Sequence, residues 1–125
     1  MKRLFIEETE IAPKVEFDVD LNRFIISGKS LPEDVKNFYS PIINWIEQYS
    51  KNPNPSTHLV VDFEYFNTSS SKMILVILNK MKDIYKNGNE VLITWYFPQF
   101  DAEIEDAGEE FAELLNIPFE FIPKI

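Results

Sequence analysis

The sequence has no cysteine, one histidine and only three glycines among its 125 residues. Without cysteine there is no disulfide framework and no thiolate chemistry, which fits a reducing, cytoplasmic setting. The lone His58 stands at the start of an apolar segment and is expected to pair with backbone or water rather than with a nucleophile. The chain contains no Gly-x-Ser-x-Gly elbow and none of the glycine-rich phosphate-binding motifs of kinases and NTPases. No apolar run approaches the ~20 residues needed to span a bilayer. The start, Met1-Lys2-Arg3-Leu4-Phe5-Ile6, is basic, but Glu7 and Glu8 cut it too short for a signal peptide. Basic charge is scarce as well: 12 Lys and Arg face 21 Asp and Glu, a formal net charge of −9. A surface this acidic repels a phosphate backbone and anionic lipid, so neither nucleic acid nor direct membrane binding is expected. These absences favour a non-enzymatic protein with no cofactor.

What is present describes an ordered fold. Apolar residues make up 45% of the chain, charged residues 26%, and phenylalanine alone contributes 11. That balance excludes disorder and supports a buried core. The length suits one domain over residues 1–125. There is no internal repeat, and the Pro-rich stretch Asn52–Ser56 reads as a loop.

Val15-Glu16-Phe17-Asp18-Val19 alternates apolar and polar residues, and Arg23 to Ser27 returns after the turn residues Asp20-Leu21-Asn22, predicting a hairpin that Gly28 stops. A weaker strand spans Leu4 to Glu7. Ser30 and Glu33 have capping-box spacing ahead of a helix with Val35, Phe38, Tyr39, Ile42, Trp45, Ile46 and Tyr49 on one face. Pro41 should kink that helix or start a second one capped by Ser40. His58–Phe63 and Val91–Tyr96 read as strands covered on both faces, Lys72–Lys86 and Ala102–Leu115 as helices, and Phe119–Ile122 as a last strand. Gly88 should end the helix before it. Strands alternating with helices imply an α/β fold, with the initial hairpin adding antiparallel strands to a mainly parallel sheet.

In such sheets, ligands and partners gather at the carboxyl ends of strands. The loop after Phe63 ends there and carries Thr68, Ser69, Ser70 and Ser71. One hydroxyl could cap the following helix. Four in succession also suit a phosphorylation or anion site, because helix amides stabilise a phosphate and Lys72 lies one turn away.

The stretch Glu64-Tyr65-Phe66-Asn67-Thr68-Ser69-Ser70-Ser71-Lys72 closely resembles the core motif of the SiaC family of bacterial regulatory phosphoproteins. Phe17-Asp18, Ile26-Ser27-Gly28-Lys29-Ser30, Pro32-Glu33, Pro41 with Trp45, and Trp95-Tyr96 with Gly108-Glu109-Glu110-Phe111 extend the resemblance over nearly the whole chain. It implies a STAS-like fold and phosphorylation of Thr68 by a dedicated protein kinase, reversed by a PP2C-type phosphatase. It also implies that the unmodified form binds and activates a diguanylate cyclase, within cyclic di-GMP signalling and biofilm regulation. Tyr65, Phe66, Asn67, Ser69, Ser70, Ser71 and Lys72 would then shape the surface that these partners read. The chain departs from the family at Phe97-Pro98-Gln99-Phe100, where many members continue Trp-Tyr-Tyr into an acidic run, and this bears on partner identity.

Other features admit two readings. Ile74, Ile77, Leu78, Met81, Ile84 and Tyr85 form the expected core stripe of the helix after Thr68, while Leu75 and Val76 fall off it. Either a neighbouring helix covers these two or they anchor a partner. In the second case, Leu75→Asp abolishes binding and leaves the thermal midpoint nearly intact. The carboxylates from Asp101 to Glu113 either bind a cation or dock a basic partner, or form a solvated face, the second reading favoured because Ile104, Phe111, Leu114 and Leu115 fit a core stripe. Asp62 and Glu64 are too few to define a metal site. The expectation is a STAS-like switch phosphorylated on Thr68, with a constitutive adaptor, its hydroxyl loop only a cap, as the alternative.

Overall fold

Alternating apolar residues in the strands decide which sheet face is buried, and the chain order decides where the helices lie. The computed structural model describes residues 1–125. Its elements are β1 (Leu4–Ile6), β2 (Lys14–Asp18), β3 (Arg23–Ser30), α1 (Val35–Ser50), β4 (Ser56–Phe66), α2 (Thr68–Lys86), β5 (Glu90–Pro98), α3 (Ala102–Leu115) and β6 (Phe119–Lys124). The strands form one sheet in sequence order. β1, β2 and β3 pair antiparallel, and β3 to β6 pair parallel. Each parallel step moves one place in the same direction, so right-handed crossovers carry all three helices to the same face. The mixed α/β sheet is the one expected.

Placing every helix on one face overturns the expectation that β4 and β5 are covered on both. Thr57, Leu59, Val61 and Phe63 are buried under the helices, while His58 and Glu64 are exposed on the other face. There the His58 Nε2 lies 2.5 Å from the Thr94 hydroxyl on β5, a side-chain partner rather than a backbone one. Also on this face, the Lys124 ammonium of β6 pairs with Asp62 Oδ1 of β4 at 2.6 Å. That oxygen has no conventional hydrogen bond, so the ion pair is what compensates its burial.

The helix ends differ in detail from the sequence expectation. Ser30 is not a cap: it ends β3, buried, and Asp34 caps α1 by accepting from the Asn37 amide at 3.1 Å. Pro41 does not divide α1, which continues to Ser50. A proline there removes one amide donor, and Ser40 donates back to the Lys36 carbonyl at 2.7 Å instead of capping a new helix. Gly88 does follow the end of α2, at φ 101, its amide donating to the Tyr85 carbonyl at 3.1 Å. Two expected core residues face solvent, Tyr85 at 41% exposure and Leu114 at 63%. Both lie at the flank of an apolar stripe and near the end of a helix, where the sheet no longer covers them.

The core is a cluster of 24 buried residues between the sheet and the helices. Trp95, fully buried on β5, anchors α3 by donating its indole N–H to the Ile104 carbonyl at 3.0 Å. The ring lies flat against Gly108, where an added Cβ would come within 2.5 Å of the indole nitrogen. Alanine would gain about 1 kcal/mol in helix propensity. Overpacking against a rigid buried ring costs about 1–3 kcal/mol. Gly108→Ala is therefore expected to lower stability, by up to about 2 kcal/mol, in urea titration. A midpoint equal to or above wild type would show that α3 does not depend on this contact.

Candidate functional site

The carboxyl ends of β3, β4 and β5 meet where β4 passes into α2, and the hydroxyl-rich loop lies at that junction. α2 begins at Thr68, one turn earlier than expected, because Asn67 is its cap. Asn67 is extended (φ −86, ψ 175), and its Oδ1 accepts from the Ser70 amide at 2.8 Å. Its carbonyl accepts from the Ser71 amide at 2.9 Å. An amide side chain thus does the capping, and none of the four hydroxyls is required for it.

The four hydroxyls separate by environment. Thr68 and Ser69 are exposed, Ser71 is half-buried, and Ser70 is fully buried. Ser70 Oγ donates to the Ser30 carbonyl at 2.9 Å and accepts from Ser30 Oγ at 2.8 Å. Ser30 Oγ also lies 2.6 Å from the Tyr39 hydroxyl. With the one Ser30 proton directed to Ser70, Tyr39 must be the donor in that contact. The Ser30 carbonyl takes a further bond from the Asn67 amide at 3.1 Å. Ser30 therefore joins β3, α1 and the first turn of α2 in one buried network. Burial raises the Tyr39 phenol to about 12, with the bonds to Ser30 and Ser70 acting in the opposite direction. It is neutral at physiological pH and keeps its proton to donate.

This placement removes Ser70 from the partner-reading residues, since a fully buried hydroxyl cannot touch a partner. Phe66 is half-buried and turned inward, edge-on to Phe63 at 5.3 Å and to Trp95 at 6.2 Å between ring centroids. It anchors the loop from below. Tyr65 stays 48% exposed, and exposed Lys72 is in no ion pair. Residues four apart on a helix are neighbours, so Lys72 stands beside Thr68. Leu75 and Val76 are half-buried on α2, and Leu75 packs against the core. Replacing Leu75 by Asp would therefore also lower the thermal midpoint. Glu47 of α1 is paired with Lys80 of α2, whose bond and charge hold the carboxyl below its usual range.

Sequence reasoning missed Ser30 and Tyr39 as parts of this site. By spacing alone, Ser30 reads as a cap and Tyr39 as one of an apolar stripe. The available signal was chemical: a buried tyrosine hydroxyl needs a partner, and Ser30 continues the buried alternation of β3. On the carboxylate helix, Ile104, Gly108, Phe111 and Leu115 face inward, while Glu109, Glu110 and Glu113 are exposed as expected.

Exposed hydroxyls on a firmly held helix start, with the only imidazole engaged by Thr94 on the helix-free face, form a surface suited to being modified and read. The class these features define is a small regulatory protein. The profile of the SiaC family of regulatory phosphoproteins matches residues 6–124, and the chain belongs to that family. Among curated proteins, an uncharacterized protein of Pseudomonas aeruginosa (strain UCBPP-PA14) is 27% identical over 119 residues, covering 95% of this chain and 94% of the relative. Among solved structures, SiaC of Pseudomonas aeruginosa is 27% identical and superposes with a TM-score of 0.89, over 99% of this chain and 100% of that one. SiaC in complex with the diguanylate cyclase SiaD, which it activates, is 26% identical with a TM-score of 0.90, over 97% and 99% of the two chains.

The network generates a prediction of definite sign. A phenol whose pKa rises on folding contributes stability that is complete below about pH 10, the unfolded value, and is lost as pH rises through about 12. Raising the phenol from 10.0 to about 12 corresponds to about 2–3 kcal/mol. Tyr39→Phe is expected to cost about 1–3 kcal/mol at pH 7, by stripping Ser30 of its donor. Its stability relative to wild type should recover between pH 10 and 12. A constant difference across that range, in denaturant titrations at each pH, would contradict the assignment.

Proposed function

We propose that this protein is a non-enzymatic, cytoplasmic signalling switch, reversibly phosphorylated on Thr68. In this reading residues 1–125 form one regulatory domain. A protein kinase adds the phosphate and a PP2C-type phosphatase removes it. The unmodified form binds and activates a diguanylate cyclase, as SiaC does with SiaD. The observation that carries the reading is the state of Thr68: exposed, first in its helix, and released from capping by Asn67.

Chemistry at this position favours a switch. A phosphothreonine adds about −1.5 to −2 charge and three strong acceptors. The amide end of α2 and the Lys72 ammonium stabilise that charge. Ser69, Tyr65 and Lys72 surround the new dianion on the accessible surface, while Asn67 and Phe66 fix its base. A cyclase that buries neutral Thr68 would have to desolvate the dianion as well, which excludes it. The adaptor reading drew its support from a hydroxyl cap, and Asn67 takes that part.

Peptide mass spectrometry of protein from its native cell tests this directly. An adduct of ~80 Da on Thr68, absent from Thr68→Ala, is expected. Thr68→Glu should weaken cyclase binding at least tenfold in calorimetric titration, with a thermal midpoint close to wild type. No adduct under any growth condition with phosphatases inhibited, or equal binding by Thr68→Glu, would sink the switch.

A further inference from the structure

Phe100 occupies a position that the fold itself does not need filled by an aromatic ring. It lies in the turn joining β5 to α3, is 94% exposed, and has a φ of 72. The Asp101 amide donates to the Pro98 carbonyl at 2.9 Å, which closes the turn with Phe100 at its third residue. A positive φ there is ordinarily supplied by glycine or asparagine, because a Cβ is strained in that region. The turn is also held from the side, where the Gln99 amide donates to the Lys124 carbonyl of β6 at 2.8 Å. The Phe100 ring belongs neither to the core nor to any of the aromatic pairs. Strain and full hydration of a large apolar ring are thus both tolerated on a backbone held in place.

The surroundings specify what the ring would meet. Phe100, Glu64, Pro98, Gln99, Lys124 and Ile125 line one open depression of about 470 Å³. Glu64 is followed by the half-exposed Tyr65, and this strand end runs straight into Thr68. Phe100 and Thr68 therefore stand at the carboxyl ends of adjacent strands, on one continuous rim. Beside Phe100, the first turn of α3 presents Glu103 and Glu105, no Lys or Arg occurs anywhere in α3, and none of its carboxylates is in an ion pair. A partner at this rim meets an aromatic knob bordered by uncompensated negative charge.

We propose that Phe100 is a docking anchor that inserts into an apolar pocket on the diguanylate cyclase, a pocket rimmed by basic residues that face Glu103 and Glu105. The proposal rests on the reading above that the effector is such a cyclase. Rigid aromatic side chains entering partner pockets commonly dominate the binding energy of an interface. One contiguous surface would then carry the anchor at Phe100 and the switch at Thr68.

The decisive experiment titrates the cyclase from the same organism with unphosphorylated wild type, Phe100→Gly and Phe100→Tyr, and records each variant's thermal midpoint. Glycine accepts the positive φ without strain, so Phe100→Gly should have an equal or higher midpoint and yet bind at least tenfold more weakly. Phe100→Tyr should bind within about threefold of wild type. Binding by Phe100→Gly within twofold of wild type, or a clear fall in its midpoint, overturns the anchor and leaves the switch intact. Failure of wild type itself to bind the cyclase overturns both readings. Self-association that is lost in Phe100→Gly, with cyclase binding unchanged, assigns the ring to a second copy and also overturns the proposal.

Discussion

The structure turns on the buried hydroxyl network around Ser30. The backbone carbonyl of this one residue accepts from Ser70 Oγ and the Asn67 amide, and its side chain links Ser70 to Tyr39. Buried polar groups are tolerated only when their bonds are made, and here the making of them fixes three elements against one another. The end of β3, the N-terminal part of α1 and the first turn of α2 cannot move independently. The exposed hydroxyl of Thr68 is consequently held out from a rigid base, and a kinase, phosphatase or effector would meet the same geometry each time.

Topology determines where that base lies. Parallel pairing from β3 to β6 with single-step crossovers leaves one sheet face to the helices and the other bare. The rim at the strand carboxyl ends collects three strand exits, and two of them carry the exposed groups of interest, Thr68 after β4 and Phe100 after β5. On the bare face, the Asp62–Lys124 ion pair and the His58–Thr94 contact occupy polar side chains of β4 and their partners on β5 and β6. Trp95 supplies the matching constraint on the other side of the sheet, holding α3 through Ile104 and the glycine at 108.

Much of this was legible in the chain before its folding was known. Alternation at Val15–Val19 and Arg23–Ser27 marks the hairpin, and the helical stripes mark α1, α2 and α3, because burial on one face imposes those periods directly. The resemblance of Glu64 to Lys72 to a phosphoprotein motif located the rim. What was not legible depended on tertiary choice among equivalent local options. Asn67 and Asp34 took the caps that Ser and Thr residues could equally have filled, since several side chains at a helix start offer an acceptor oxygen. Ser30 ends β3 ahead of the helix start, and its hydroxyl meets Ser70, forty residues on, and Tyr39 instead of a helix amide. The apolar run of β4 gave no sign that one face would remain bare, as Val60 looks the same on either face. Pro41 sits in a helix that continues on both sides of it, with Tyr39, Ile42 and Ile46 buried beneath, so core packing outweighs the one lost amide bond.

The central claim is that the Ser30 network lets a phosphate on Thr68 rewrite the surface while the fold beneath it stays locked. Residue-resolved amide hydrogen exchange on the unmodified and Thr68-phosphorylated protein tests this most directly. The account predicts that protection at Ser70, Ser71 and the end of β3 is retained or increased, with changes confined to the first turn of α2 and its loop. Loss of protection along α2, or at the junction of β3 with α1, would show that phosphorylation acts by opening the fold, and would contradict it.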